Sequence, residues 1–348
     1  MKKAVCCLIC FVIIFSHIQA YADFFDNYTV SEPDNEYVTS CSKPIQVKSN
    51  INSVEKELFP TSFYSDSQPT FNDLLEWVLA VMYDCTEEFY TNVQFNDGTI
   101  DEYMLFDVTS FNVPLNYAKK IIMLLNYEYG DILASNYYLY DTIEVDGYYY
   151  DIMGFKYIYD DLSVVKEKRA QIKDKADIII NKINSDNGLT DLEKVLLVHD
   201  YIGKNAYYQP DKKLIEDFYY HTLDSALLEG VTVCQGYTLA MTYILNRLGI
   251  ECISCRCDEV NHVWNCVKID GKWYHIDLTW NDGRYVVGAD SYDFIEYDNF
   301  VTSSFKQLVL KFYQYYLNVC ENEGSNEISE EEQNYIDKIK YLMESSFL

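Results

Sequence analysis

The sequence predicts an α+β fold in which one helix packs on an antiparallel sheet, and two observations carry that core. In "GVTVCQGYTLAMTYILNRLGI" (230–250) apolar residues recur every three or four positions, the period of a helix. Directly afterwards the period drops to two in "ECISCRC", "HVWNCVKI" and "KWYHIDLTW", and "IDGKWY" sets Asp270 and Gly271 between two of these runs as a hairpin turn. A third observation, a mixture of strand-like and helix-like pieces between 68 and 162, adds a smaller N-terminal α+β domain.

From the start of the chain, Lys2 and Lys3 head an apolar run, Ala4 to Phe15, and "AYA" supplies small residues. This is the pattern of a secretory signal peptide over 1–22, cleaved after Ala22, and the run is short for a bilayer crossing. Residues 23–67 are polar and poorly periodic, an extended lead-in. In "PTFNDLLEWVLAVMYDC", Leu74, Leu75, Val78 and Met82 have helical separations. The 68–162 domain continues with strands in "EYMLFDV" and "TIEVDGYYYDI", the latter turning at "VDG", and a helix in "NVPLNYAKKIIMLLNYEYG". A linking helix spans 163–188. At "LTDLEKVLLVHDYIGKNAYY", Thr190 and Glu193 form a capping box with Leu189 in the staple position. The main domain covers 189–305, and two helices, "SFKQLVLKFYQYYLNVC" and "SEEEQNYIDKIKYLMES", are expected within 306–348.

Composition narrows the function. Nearly half the 348 residues are apolar and 16% are aromatic, enough for a sizeable core. Loss of Lys2 and Lys3 with the leader takes the formal charge from -28 to -30. So acidic a chain argues against nucleic acid and anionic membrane as partners. Together with the leader, this predicts a secreted or cell-surface protein with no integral membrane segment after cleavage. No calcium loop of recognisable spacing accompanies the acidity.

Eight cysteines follow the leader: Cys41, Cys85, Cys234, Cys252, Cys255, Cys257, Cys266 and Cys320. Export permits disulfides, yet a catalytic thiol stays free, and the remaining odd number cannot all pair. A reducing setting with few disulfides is an equal reading. The spacing of "CISCRC" is irregular for zinc and lacks a second compact ligand pair, so it reads as a strand. No metal and no cofactor is expected.

Cys234 stands at the expected start of its helix, where orphan amides and the macrodipole favour negative charge and can contribute to an oxyanion hole. A histidine that takes the thiol proton makes it a nucleophile. His262 opens one strand and Asp277 closes the next. Their midpoint lies beside the Asp270–Gly271 turn, so the two should sit nearly opposite one another, with Asp277 orienting the imidazole. His275, on the same face as Asp277, is the alternative histidine. His199 has two readings, a catalytic base or a hydrogen-bonded residue on a packed helix face, and Asp200 one of orienting loops. Four further residues complete the candidate site: Gln235 as oxyanion donor or helix cap, Gly236 as room for a substrate backbone, Trp264 as pocket wall or core aromatic, and Trp280 as a cleft residue.

"VCQGYTLAMTYILNRLGI", "NHVWNCVKIDGKWYHIDLTWND" and the upstream "LEKVLLVHDYIGKNAYY" closely resemble the transglutaminase-like branch of the papain-like superfamily, of the secreted bacterial type. The resemblance runs from about Leu189 to Phe305. It implies a papain-like core and assigns the nucleophile, base and orienting carboxylate to Cys234, His262 and Asp277. Val263 departs from the alanine common between the histidine and tryptophan, and "NDGRYVVGADSYDFIEYDNF" is drawn out beside the usual closing strand. The implied activity is a thiol-dependent attack on peptide or protein amides through a thioester, with peptidase ahead of cross-linking enzyme and a substrate that includes wall-associated protein. The other reading is a noncatalytic protein- or cell-wall-binding module that keeps the fold.

Overall fold

The computed structural model describes residues 45–46, 51–54, 71–85, 90–111, 116–145, 147–209, 211, 213–257 and 261–281. They fall into two units. Among the described residues, one comprises those within Ile45–Ile122 and Tyr137–Lys156, the other those within Met123–Asn136 and from Tyr157 to Asn281. The expected leader over 1–22, the helices within 306–348 and the stretch 282–305 lie outside the described residues.

In the first unit, Leu74, Leu75, Val78 and Met82 line one face of helix α1 (Phe71–Asp84), all at most 1% exposed. Trp77 meets Phe106 edge-on at 5.2 Å and stacks on Phe111 at 5.7 Å. Six strands form one sheet: β1 (Ile45–Gln46), β2 (Ile51–Val54), β3 (Tyr90–Phe95), β4 (Ile100–Asp107), β5 (Ala134–Val145) and β6 (Tyr148–Tyr157), in the order β1-β5-β6-β4-β3-β2. Alternate residues of β3 are buried, the period of two that the sequence carries in this region. Gly147, at φ 83°, takes the turn in "VDG". Strands β1 and β2 lie in the segment expected to be a lead-in. They are the two edges of the sheet, and pairing with β5 and β3 decides their conformation rather than any periodicity of their own. Helix α2 (Asn116–Tyr127) follows β4 as expected.

The second unit contains α3 (Leu162–Asn184), capped by Asp161 accepting from the Ser163 amide at 2.7 Å, and α4 (Asp191–Asn205). Both halves of the α4 capping box form: Glu193 N donates to Thr190 Oγ1 at 3.2 Å, and Thr190 N donates to Glu193 Oε2 at 2.7 Å. Two short parallel strands, β7 (Tyr207–Tyr208) and β8 (Val231–Thr232), lead into α5 (Cys234–Arg247). An antiparallel sheet follows, β9 (Cys252–Cys257), β10 (His262–Ile269) and β11 (Lys272–Ile276), with β10 central, and a single turn, α6 (Leu278–Asn281), closes the described chain.

Helix α5 differs from its sequence pattern in one respect. The apolar residues suggest a stripe, yet every residue from Cys234 to Thr242 is buried. A helix covered all round is central to its domain. Ile172, Ile179, Leu196, Val198, Ile244 and Val267, from α3, α4, α5 and β10, belong to one core. Gly249 ends α5 in the left-handed region at φ 82°. Its amide donates to Asn246 O and the Ile250 amide to Leu245 O, a Schellman closure. The core is therefore α+β, with a buried cysteine opening a helix beside an antiparallel sheet.

Candidate active site

Cys234 is placed by the backbone on either side of it. The Gln209 amide donates to Thr232 O at 2.8 Å, and the Val233 amide donates to Tyr220 O at 3.0 Å, so the chain enters α5 from a pinned, extended Val233. Valine cannot cap a helix, and no side chain caps this one. The first-turn amides of α5, beginning at Cys234, thus keep the partial positive charge of a helix N-terminus. The thiol is fully buried and packs with Val263, Tyr127 and the partly buried Met123.

His262 Nε2 lies 2.7 Å from Asp277 Oδ2, with the two residues 2% and 3% exposed. The turn arithmetic needs correction here. Asp270 and Gly271, both at positive φ, form a two-residue turn, and the observed pairing runs Asn265↔Ile276 to Ile269↔Lys272. Continued by one pair, that register sets Asp277 across from Trp264, not from His262. Because the slip is two residues, Asp277 stays on the His262 face and its carboxylate reaches back along the diagonal. His275 pairs in register with Cys266, farther along β10 from His262.

Burial by itself would lower the pKa of the His262 imidazole. The Asp277 carboxylate, by charge and hydrogen bond, and then the Cys234 side chain outweigh it and raise the value from 6.5 to about 10. With Nε2 on Asp277, Nδ1 is the ring nitrogen left to address the thiol. Because folding raises this pKa, protonation of His262 stabilises the folded chain. The contribution is full below about pH 6.5, shrinks as the pH rises and is gone above about pH 10. Denaturant midpoints of the parent chain and His262→Gln across this window are expected to draw together toward alkaline pH. A gap independent of pH would assign the pairing no part in stability.

The other candidate residues have defined surroundings. Trp264, 3% exposed, stacks on the His262 ring at 5.7 Å with 24° between planes, so it is both a core aromatic and a wall of the imidazole site. The Gln235 amide is held at both ends: Nε2 donates to Asn126 O at 3.0 Å, and Oε1 lies 3.2 Å from His221 Nδ1. The space beside Gly236, expected for a substrate backbone, is filled by protein: a Cβ there would lie 1.8 Å from Thr232 Oγ1 and 2.9 Å from Thr222 O. Trp280 lies in α6, with its side chain outside the described residues. Burial lowers the pKa of His221, a ring whose Nε2 is 2.8 Å from Ile215 O.

Sequence reasoning missed the contribution of residues 123–128. Besides Tyr127 against the thiol, the Ser254 amide donates to Glu128 Oε1 at 2.9 Å, and Arg256 Nη1 donates to the Tyr127 hydroxyl at 3.1 Å with its guanidinium over that ring. No local pattern announces this, since these partners are more than a hundred positions away along the chain. Cys85, Cys234, Cys252, Cys255 and Cys266 are buried, and burial raises the Cys252 pKa well above the ordinary thiol range. Cys255 and Cys266 approach to 3.0 Å between sulfurs.

Residues 179–278 match the family model described as the transglutaminase-like superfamily, a range that begins inside α3 and includes Cys234, His262 and Asp277. No curated protein matches the sequence. A solved structure described as "Crystal structure of a TGase" aligns at 17% identity with a TM-score of 0.27, covering 48% of this chain and 48% of that one, about half the length of each. Residues 179–278, all within the second unit, are thus similar to the transglutaminase-like superfamily. Among the described residues, no helix is long and apolar enough to cross a membrane.

Proposed function

We propose that this chain is a thiol-dependent enzyme, exported by its first 22 residues, that acts on peptide or protein amide bonds. Cys234 is the nucleophile, His262 the base and then the acid, and Asp277 the carboxylate that orients the ring. One observation carries the reading: the His262 imidazole is bonded to Asp277 at 2.7 Å, and the next residue, Val263, packs with Cys234 at an uncapped helix N-terminus.

In this reading His262 takes the Cys234 proton and the sulfur attacks the amide carbonyl. The oxyanion is met by first-turn amides of α5. The imidazolium protonates the leaving amine, which departs as the thioester forms. Water then releases the acid, or a second amine forms a new amide. We place hydrolysis first, because water needs no binding site of its own beside the thioester, whereas an amine acceptor must be held and oriented there.

Full burial of Cys234 also favours the second reading, a peptide- or wall-binding module without turnover. Iodoacetamide labelling of the non-reduced full chain from about pH 5 to about pH 9, with mass-spectrometric site mapping, separates the two. Fast labelling of Cys234 below neutral pH is expected for the enzyme. A Cys234 that is blocked, or labels as an ordinary thiol does, would leave the binding module as the reading.

A further inference from the structure

We infer that His199 is a positioning residue for Asp277, acting through Asn281; this rests on the catalytic reading of Cys234, His262 and Asp277 above. His199 lies on α4 and is fully buried between two polar partners. Its Nδ1 is 2.8 Å from Asp200 Oδ1, and Asn281 Nδ2 donates to its Nε2 at 3.0 Å. An amide NH₂ can only donate, so His199 Nε2 accepts and the ring proton is on Nδ1, directed at the Asp200 carboxylate. Asp200 thereby selects the tautomer that can hold Asn281.

Asn281 is the last residue of α6 and is itself fully buried. Its backbone amide donates to Asp277 O at 3.1 Å, closing the turn that starts from the candidate carboxylate residue. A four-residue helix makes too few internal hydrogen bonds to hold its own geometry, so tertiary partners must set it. The chain of bonds runs from the Asp200 carboxylate to His199, to the Asn281 side chain, and through the Asn281 amide to the Asp277 main chain. From there Asp277 Oδ2 reaches His262 Nε2 at 2.7 Å.

The alternative is a core histidine whose hydrogen bonds are satisfied and nothing more. The two differ in what His199→Leu does to His262. Without the Nε2 acceptor, the Asn281 side chain loses its bond to α4 and the α6 turn relaxes. Asp277 then drifts from the imidazole, and small misplacements of such groups are costly to chemistry. His199→Gln keeps an acceptor near the Nε2 position and restores the link.

The test uses the full chain carrying ¹³C-labelled histidine, with NMR titration of the His262 ring and the pH profile of Cys234 alkylation by iodoacetamide. In folded His199→Leu, the His262 titration midpoint is expected to fall by about one unit or more, as it loses its carboxylate. Alkylation below neutral pH should slow by about tenfold or more. His199→Gln should recover most of both. In a His262→Ala background, His199→Leu should have no further effect on alkylation. If His199→Leu does not fold, Asn281→Ala breaks the same link from its other end and is expected to shift His262 equally. A folded His199→Leu or Asn281→Ala with an unchanged His262 titration overturns the inference. Ordinary alkylation of Cys234 in the parent chain would instead overturn the catalytic reading, while the His262 titration still decides whether His199 positions Asp277.

Discussion

Under the catalytic reading proposed above, replacing His262 by alanine is expected to slow alkylation of Cys234 at about pH 6 by roughly a hundredfold and to remove amide turnover. The size follows from ionisation. A thiol with the ordinary pKa of about 8.5 and no basic partner is about 0.3% thiolate at pH 6, whereas a sulfur paired with an imidazolium reacts from a largely ionised state. The imidazole that supplies this pairing holds its proton up to about pH 10 through Asp277 and Cys234, so the pair should persist through the neutral range. Asp277→Asn tests the same coupling from behind. It keeps the side-chain shape but removes the charge that supports the imidazolium, and the alkylation profile should move toward that of His262→Ala. Rates for the parent, His262→Ala and Asp277→Asn, with site mapping at Cys234, check both. Indistinguishable profiles for all three would remove Cys234 from any activated pair.

Gly236→Ala is expected to destabilise the chain by about 3 kcal/mol, although alanine is the better helix former by about 1 kcal/mol. The reason is local. A Cβ at 236 would lie 1.8 Å from Thr232 Oγ1 and 3.1 Å from Thr232 Cβ, which no rotation of a methyl relieves. Thr232 is fully buried, and its hydroxyl donates to Tyr220 O at 2.9 Å and lies 3.1 Å from Ser225 Oγ. Moving it strips bonds from buried partners at about 1–3 kcal/mol each, which outweighs the helix gain. Urea midpoints at unchanged slope measure the loss. Thr232→Ala removes the atom that clashes, so the double variant should be more stable than the two single effects predict. Additive effects would place the glycine's role elsewhere.

These two expectations mark different degrees of legibility. Cys234, His262 and Asp277 stand out in the sequence because each sits at a boundary with its own local signal. Those signals are a helix start after a β-branched run, the first residue of a strand-like run, and the close of a hairpin around Asp270–Gly271. Gly236 is conspicuous as a glycine in a helix, but sequence alone suggested room for substrate there, and the space belongs to Thr232. The difference arises because Thr232 comes from the strand before the helix, and its hydroxyl direction depends on Tyr220 and Ser225.

By itself, the sequence determined the α+β class of the core, the capped start of α4 and the hairpin between β10 and β11. All are set by periodicity or by the backbone freedom of a few residues, interactions that reach only a few positions along the chain. The tertiary structure alone decided that β1 and β2 join a sheet, that Asp277 meets His262 along a diagonal, and that residues 123–136 belong with the second unit. It also decided that Tyr127 packs on the thiol and that His199 reaches the turn after Asp277. These arrangements depend on which partner occupies a given volume or accepts a given proton, and those partners lie from 15 to more than a hundred positions away, beyond what periodicity or a local turn signal specifies.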